Sequence, residues 1–298
     1  MTRYGGTVKM LHIDNITKSF GAFKAVDGFK LNVEKGHIHG IISENGAGKT
    51  TIIKCIVGIY KPDKGSIKLD GGEVYENPPV KAKIGYVADS NTMFEDYTAA
   101  QMVKFFGEVY PNFDKARFDE LNKIFKVEPK RLIGRLSKGQ QMRLSFMLAI
   151  SAHPELLVLD EPTDGLDAMA KKQLFDILID EVEKDETAVV ISSHNLNELE
   201  KLCDEITILR NGRAEYQSDI EEIHARVKKF QAVFKTEPDM ETLRGSFDAV
   251  ERIGSVYYLT TSAYDENTIP ALKAMGAELV EEVGMSLEEI FIATAESR

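Results

Sequence analysis

The chain has 298 residues, which corresponds to about two domains of roughly 150 residues each. Its hydrophobic share of 43% and its charged share of 29% are those of an ordinary globular protein. The formal net charge of −11 argues against a nucleic-acid binder that works by neutralising phosphates. The only cysteines, Cys55 and Cys203, lie far apart in sequence, which excludes a disulfide scaffold and a zinc knuckle and fits a reducing cytosol.

The sequence contains no candidate membrane span. The longest strongly apolar runs, such as residues 144–150, are far below the ~18 residues that a span requires. Residues 1–11 lack the apolar core of a signal peptide. If the protein acts at a membrane, we expect a partner to supply the spanning part.

The first part of the chain alternates strand-like and helix-like segments. Strands are predicted at residues 9–17, 29–33, 37–43 (HIHGIIS), 156–160 (LLVLD) and 188–192 (AVVIS). Helices are predicted at residues 49–57, 138–151 and 168–182. Apolar strands separated by helices predict an α/β fold with a mostly parallel sheet that is covered on both faces. Residues 97–149 are richer in helix and predict a helical insertion, with outer limits of about 90–150.

The composition changes after the turn signal Asn211-Gly212 and a helix-like stretch at residues 219–229. Residues 229–298 carry 6 basic and 13 acidic residues, and we place a domain boundary near residue 228. This tail predicts a small α+β domain, whose elements are strands 231–235, 256–260 and 277–283 and a helix at 270–275. Ser286 and Glu289 form a capping-box pattern that predicts a short helix with Leu287, Ile290 and Phe291 on one face.

Residues 43–50 (SENGAGKT) follow an apolar run and open a helix, which is the context of a phosphate-binding loop. Backbone N–H groups and the positive end of the helix can wrap a polyphosphate there. In this interpretation Lys49 reaches the β- and γ-phosphates and the Thr50 hydroxyl binds Mg²⁺. The candidate binding residues are Asn45, Gly46, Ala47, Gly48, Lys49, Thr50 and Thr51. Ser43 replaces the first glycine of the strict pattern, which requires a negative φ at Ser43; a glycine-rich turn without a ligand is the alternative.

Two carboxylates, Asp160 and Glu161, end the apolar run at residues 156–159. In a doubly wound sheet, ligands bind at that end of the strands. Asp160 is therefore a candidate Mg²⁺ ligand, and Glu161 is a candidate general base for an attacking water. The alternative is an acidic strand-to-loop turn without a function.

Three further segments follow in a recognisable order: residues 136–140 (LSKGQ), residues 164–167 (DGLD) and Ser193-His194. With the phosphate loop and the acidic pair, the chain resembles the ATP-binding subunit of an ABC transporter over roughly residues 10–223. The resemblance implies a P-loop NTPase core with the helical insertion, in residues 1–228, which hydrolyses ATP with Mg²⁺ as cofactor.

The resemblance implies a role for each matching residue. The LSKGQ loop would cap the γ-phosphate of ATP bound by a second copy, through the Ser137 hydroxyl, the Gly139 N–H and Gln140. His194 would contact the γ-phosphate and orient the water, and Asp167 would lie across the dimer seam. An ordinary helix cap at residue 137 and a structural histidine are the alternatives.

Two positions need separate comment. The family stacks an aromatic ring on adenine where this chain has Phe20; Phe23 is a second candidate, and a core phenylalanine is the alternative. At Asp89 the family usually has glutamine, which links Mg²⁺ to the membrane partner. We expect a water-bridged or altered metal contact at Asp89 and a slower or differently coupled turnover.

The resemblance also implies partners: a second ATP-binding subunit and a separate transmembrane permease that holds this chain on the inner face of the membrane. Met93, Phe94 and Tyr97 are candidates for the permease docking site, or else they pack within the insertion. More weakly, the tail resembles Gram-positive exporters of phenol-soluble modulins, antimicrobial peptides or similar amphiphiles. We expect it to contribute to dimerisation, with a merely stabilising appendage as the alternative. Two other functions are weighed: a soluble ABC protein that acts on ribosomes or DNA, and a nucleotide-binding regulatory subunit with little hydrolysis.

Overall fold

The computed structural model describes residues 9–43, 46–90 and 93–290, the side chain of Lys9 excepted. Asn45 and Phe291 lie outside these described residues. The described chain forms two compact units. The first contains the described residues up to Asn195 together with Leu202–Gln217, and the second contains Leu196–Lys201 and the described residues from Ser218 onward.

The strands of the first unit form two sheets. In chain order they are β1 Lys9–Phe20, β2 Phe23–Glu34, β3 Ile38–Ile42, β4 Lys64–Leu69, β5 Gly72–Glu73, β6 Ile84–Val87, β7 Leu156–Asp160, β8 Ala188–Ser193, β9 Glu205–Arg210 and β10 Arg213–Asp219. One sheet has the order β2-β1-β4-β5 with antiparallel pairing, and the other has the order β10-β9-β3-β8-β7-β6.

The central strands of the six-stranded sheet are parallel and buried along their whole length. Every residue of strands β3, β7 and β8 is buried and most of them are apolar, as expected where a sheet is covered on both faces. In their register, Ile42 lies opposite Ser193, and Asp160 lies opposite Ser192. The carboxyl ends of the three strands are therefore level, and the loops that follow them start side by side.

Helices pack around this sheet and form the insertion. They are α1 Lys49–Ile56, α2 Pro78–Lys81, α3 Ala99–Val109, α4 Lys115–Phe125, α5 Lys138–Ile150 and α6 Ala168–Asp185. Side-chain caps start several of them; α3 begins at a capping box in which Thr98 and Gln101 bond each other's backbone N–H. The buried Glu181 of α6 pairs with Arg117 of α4 at 2.5 Å and so ties the insertion to the core.

The second unit is built on a four-stranded antiparallel sheet. Its strands are β11 Lys228–Phe234, β12 Ala249–Ile253, β13 Val256–Thr261 and β14 Ala277–Val283, and its helices are α7 Leu196–Leu199, α8 Ile220–Arg226, α9 Met240–Ser246 and α10 Thr268–Ala274. The strand order is β12-β13-β11-β14. Phe230 and Leu259 of the sheet pack with Leu243 and Leu272 of the helices in one apolar core.

Several local predictions are confirmed and others are wrong in extent. The Ser286–Glu289 capping box is present, and Leu287 and Ile290 are buried. The strand predicted at residues 29–33 is the second half of the twelve-residue β2. The helix predicted at 219–229 ends at Arg226, because β11 already begins at Lys228 to turn Phe230 and Ala232 inward.

Within the described residues, no helix combines the length and the apolar character that crossing a bilayer requires.

Candidate functional site

The phosphate-loop lysine is folded back onto the protein. The Lys49 ammonium donates to the backbone carbonyl of Ser43 at 2.6 Å and lies 3.1 Å from the Glu161 Oε1. Both side chains are nearly enclosed, with 7% of Lys49 and 11% of Glu161 exposed. Ser43 is buried and is not among the described residues with positive φ, so serine meets the backbone requirement at this position.

The acidic pair is held by the end of the neighbouring strand β8. The Ser192 hydroxyl donates to Asp160 Oδ1 at 2.7 Å and accepts the Glu161 N–H at 3.0 Å. Glu161 adopts φ 49°, a left-handed conformation that costs a non-glycine residue energy and persists only where the surroundings impose it. The backbone at Glu161 is therefore turned by contacts made from β8.

Glu161 contacts both Lys49 and His194. Its Oε2 lies 2.9 Å from Nδ1 of His194 and accepts the His194 N–H at 3.3 Å, while its Oε1 faces Lys49. The imidazole is partly open to solvent, with 56% of the side chain exposed. The carboxylate is thus placed between the Lys49 ammonium and the His194 imidazole.

Asp160, the residue before Glu161, is buried. Burial raises the pKa of its carboxyl group, and hydrogen bonds from Ser192 and Thr50 work in the opposite direction. Its second oxygen, Oδ2, is buried and has no hydrogen-bond partner among the described residues. An unsatisfied buried carboxylate oxygen near a threonine hydroxyl is a donor set that suits a hard divalent cation.

The LSKGQ segment starts α5 through a capping box. The Ser137 hydroxyl accepts the Gln140 N–H at 3.3 Å, and the Gln140 side-chain oxygen accepts the Ser137 N–H at 3.1 Å. Gly139 packs against Gly165: a Cβ on Gly139 would lie 2.6 Å from the Gly165 carbonyl oxygen. Ser137 therefore caps α5 and is exposed. Its contact with the γ-phosphate of ATP bound by a second copy stays a prediction.

Lys138 and Arg143 connect the LSKGQ helix to two acidic loops. The Lys138 ammonium lies 3.3 Å from Asp89 and 3.6 Å from Asp164, and Arg143 pairs with Asp167 at 2.9 Å. Burial works to lower the pKa of Lys138, but these two carboxylates overcome it and the pKa is raised. Asp167 also caps α6 through the Ala170 N–H.

The predicted residues therefore fall into two groups. Lys49, Thr50, Asp160, Glu161 and His194 come together at the carboxyl ends of the parallel strands. The other group joins the LSKGQ helix to Asp89 and Asp167 through Lys138 and Arg143. Among the described residues, no hydrogen bond or ion pair links Ser137 to Lys49 or Glu161.

The aromatic candidates are exposed. Phe20 is 45% exposed, contacts Tyr60 edge to face at 5.4 Å and is not a core residue; Phe23 is 63% exposed. In the insertion, Phe94 and Tyr97 are exposed and lie 5.0 Å apart, and Phe94 also meets Phe105 at 5.5 Å. The core alternative for Phe20 is thus wrong.

The sequence model of the ABC transporter family matches residues 26–164, a range that contains the phosphate loop and the acidic pair. The chain is 30% identical over 284 residues to the ABC transporter ATP-binding protein YtrB of Bacillus subtilis, which covers 95% of this chain and 97% of YtrB. It belongs to the ABC transporter family.

Other relatives and solved structures agree with this assignment. The bacitracin transport ATP-binding protein BcrA of Bacillus licheniformis is 32% identical over 219 residues, 72% of each chain. An ATP-binding subunit of an ABC transporter superposes with a TM-score of 0.67 at 24% identity, over 72% of this chain and 92% of that one. A dimeric ATP-binding cassette, MJ0796 bound to ADP and Pi, superposes with a TM-score of 0.66 at 23% identity, over 71% and 99%.

These comparisons confirm the predicted P-loop NTPase fold class and the function as an ATP-hydrolysing, ATP-binding subunit of an ABC transporter. Subunits of this family dimerise and work with a transmembrane component. The alternative of a soluble ABC protein on ribosomes or DNA is not favoured, because the relatives are transporter subunits.

Sequence reasoning missed Ser192, Asp164 and Lys138. Asp164 lies beside Glu161 and His194, with potential ligand atoms of the three within 4.8 Å of one another. The position of Ser192 at the end of the apolar run AVVIS, directly before Ser193-His194, was the available signal. Its bonding partners lie some thirty residues earlier in the chain and depend on the strand register.

We expect Ser192→Ala to weaken the site and the fold together. The change removes the donor to Asp160 and an acceptor for Glu161 N–H, and one buried group left unsatisfied costs about 1–3 kcal/mol. The midpoint temperature of thermal unfolding and the rate of ATP turnover should both be lower than in the parent. Ser193→Ala is the matched control, because the Ser193 hydroxyl accepts the Asn195 N–H and, among the described residues, makes no hydrogen bond to Asp160 or Glu161. Equal stability and turnover in Ser192→Ala and the parent would contradict this account.

Proposed function

We propose that this ABC transporter subunit hydrolyses Mg-ATP between two copies and that the resulting closure drives a separate permease. The observation that carries the proposal is the placement of Glu161 between Lys49 and His194 at the carboxyl ends of β7 and β8. A carboxylate that can accept a proton, beside a phosphate-loop cation and an imidazole, is an arrangement that suits phosphoryl transfer to water.

The mechanism begins with an exchange of partners at Lys49. When ATP enters, its β- and γ-phosphates replace Glu161 as the counter-charge of the Lys49 ammonium. Glu161 is then free to accept a proton from a water that attacks the γ-phosphorus in line with the departing ADP oxygen. His194 stays bonded to Glu161 or turns toward the γ-phosphate, and it keeps the water oriented. Catalysis in this scheme consists of positioning and charge stabilisation.

The residues around Asp160 fit Mg²⁺. The buried, unpartnered Asp160 Oδ2 and the nearby Thr50 hydroxyl are hard oxygen donors. A divalent cation bound there would neutralise charge that develops on the phosphates. Asp89, which is exposed, would contact the cation through a bridging water. In the structure Asp89 is occupied by Lys138, which supports the expectation of an indirect metal contact at this position.

The LSKGQ group is proposed to serve the ATP held by the other copy. Ser137 and Gly139 lie at the start of α5, where the helix dipole favours an anion. In this chain they make no polar contact with Lys49 or Glu161 among the described residues. A phosphate supplied by a second copy would satisfy that helix start, and Asp167 would then face the seam.

The partner and cargo assignments are part of the same proposal. The exposed rings of Phe94 and Tyr97 form an aromatic cluster on the insertion with the half-buried Phe105, and such a surface suits an apolar segment of a permease. We assign the subunit to the inner face of the membrane through that contact. The likeness to BcrA, named for bacitracin transport, supports the export of peptides or similar amphiphiles.

We expect Glu161→Gln to trap a nucleotide-bound dimer. Loss of the general base should lower the hydrolysis rate by about 10²–10⁴-fold while Lys49 still binds phosphate. Light scattering in Mg-ATP should report the mass of a dimer, and the isolated dimer should contain bound ATP. The matched control is Glu155→Gln, at the opposite end of β7 in an ion pair with Lys83, which should turn over ATP normally. A Glu161→Gln protein that stays monomeric and retains no nucleotide would overturn the proposed function.

We expect Asp89→Gln to speed turnover and to change its Mg²⁺ dependence. Glutamine reaches one methylene further, removes a negative charge near the metal and releases Lys138. Lys138→Met breaks the same ion pair but keeps the carboxylate, so it separates the two effects. Steady-state ATP hydrolysis over a Mg²⁺ titration is the measurement. Identical rates and Mg²⁺ dependence in Asp89→Gln and the parent would exclude a metal-linked role for Asp89.

We further propose that the second unit strengthens the dimer through one face of its sheet. Ile253, Val256, Val233 and Leu279 lie opposite one another across the four strands and form an apolar row. Ile253 and Leu279 at its two ends are exposed. This row offers a second copy a continuous apolar strip.

We expect Ile253→Glu to lower the mass measured by light scattering without nucleotide, because a charge would then enter the apolar contact. Val109→Glu, at a similarly exposed apolar residue of the insertion, is the control and should leave the mass unchanged. An unchanged mass for Ile253→Glu would assign the second unit a stabilising role only.

A further inference from the structure

The turn between β9 and β10 contacts the phosphate loop directly. Asn211 and Gly212 form a two-residue turn in which both have positive φ, 50° and 74°, as in a type I′ hairpin turn. The Gly212 N–H donates to the Ala47 carbonyl at 2.9 Å. A segment about 165 residues further along the chain therefore reaches the centre of the nucleotide-binding loop.

The contact leaves no room for side chains. Gly48 has φ 108°, and a Cβ on it would lie 2.4 Å from the Ala25 carbonyl oxygen and 3.6 Å from the Gly212 Cα. A Cβ on Gly212 would lie 2.5 Å from the same Ala25 oxygen. Three backbone segments, from β2, the phosphate loop and the turn, thus meet at van der Waals distance. Positions 48 and 212 are glycines because a side chain at either one would clash with the Ala25 carbonyl.

The turn is itself anchored from the opposite side. The Asp27 N–H donates to the Gly212 carbonyl at 2.9 Å, and Arg213 donates to Asp27 Oδ2 from Nε at 2.9 Å and from Nη2 at 2.5 Å. Lys24 lies 3.0 Å from the other carboxylate oxygen. Hydrogen bonds with Arg213 and Lys24 lower the pKa of Asp27, so this carboxylate stays ionised at neutral pH.

The peptide group between Ala47 and Gly48 links the turn to the anion-binding side of the loop, because Gly212 holds its carbonyl oxygen. In a trans peptide the C=O and the following N–H point in opposite directions, and the structure has no cis peptide bonds among the described residues. With the Ala47 carbonyl held by Gly212 behind the loop, the Gly48 N–H is turned to the opposite side, at the start of α1. This N–H is one of the groups that an anion at the helix start would use.

We propose that the Asn211–Arg213 turn, locked by Asp27, is a positioning element that holds the phosphate loop in its nucleotide-binding form. This inference rests on the proposed nucleotide site and adds residues that touch neither nucleotide nor metal. The ligand class it serves is a nucleoside di- or triphosphate. Because the turn orients a backbone N–H and not the attacking water, it sets affinity and KM and leaves kcat nearly unchanged.

The test measures nucleotide affinity in the full-length protein. Arg213→Ala removes the hydrogen bonds between the exposed Arg213 side chain and Asp27. It should weaken binding of a fluorescent ADP analogue and raise the KM for ATP, each by about twofold to tenfold, which corresponds to one net hydrogen bond. Gly212→Ala should have a larger effect on both, and Arg213→Lys should restore part of the affinity. The matched control is Arg210→Ala, which loses only the pair with Glu215 on the same hairpin and should bind as the parent does.

The outcomes separate this inference from the proposed function. If Lys49→Ala binds the ADP analogue as tightly as the parent, the proposed nucleotide site is wrong. If Lys49→Ala loses binding while folded Arg213→Ala matches the parent in affinity and KM, the positioning role is overturned and the site stands. If Arg213→Ala lowers kcat and thermal stability with KM unchanged, the turn is structural and the positioning role is also overturned. Should Gly212→Ala fail to fold, Arg213→Ala and its lysine counterpart decide alone.

Discussion

The register of three parallel strands is the constraint on which the site depends. Because β3, β7 and β8 end level, Ser43, Glu161 and His194 each begin a loop at the same edge of the sheet. Every residue of these strands is buried, and a shift by one position would turn each side chain to the opposite face of the sheet and break the pairing of Asp160 with Ser192. The catalytic geometry is therefore stabilised by the packing of the whole central sheet and not by the loops alone.

At that edge, two opposite charges lie in direct contact. The Lys49 ammonium is satisfied by the Ser43 carbonyl and by Glu161, so a buried cation and a buried anion neutralise each other. A triphosphate offers Lys49 more negative charge than one carboxylate does. In the proposed mechanism, the arrival of the triphosphate therefore frees Glu161 from Lys49 when substrate is present.

Much of this arrangement could be predicted from local sequence. LLVLD and AVVIS are uninterrupted apolar runs and gave central strands within one residue, and the LSKGQ cap gave the start of α5 at Lys138. The first half of β2 could not be predicted, because Phe23 and its polar neighbours are exposed there and show no alternation. Ser192, the Lys138 ion pairs and the Gly212 contact join residues distant in sequence, and only the strand order brings them together. The domain limits at residue 228 and the ligand roles remain predictions.

The two charged groups of the site differ in their contact with water. The Lys49–Glu161 pair is almost enclosed, whereas about half of each side chain in the Lys138–Asp89 pair is exposed. Mobile ions screen exposed charges over a Debye length of about 8 Å at physiological ionic strength, and they reach enclosed pairs far less. Added salt thus weakens the ion pair between Lys138 and Asp89 more than the pair between Lys49 and Glu161, so ionic strength acts differently on the two charged groups.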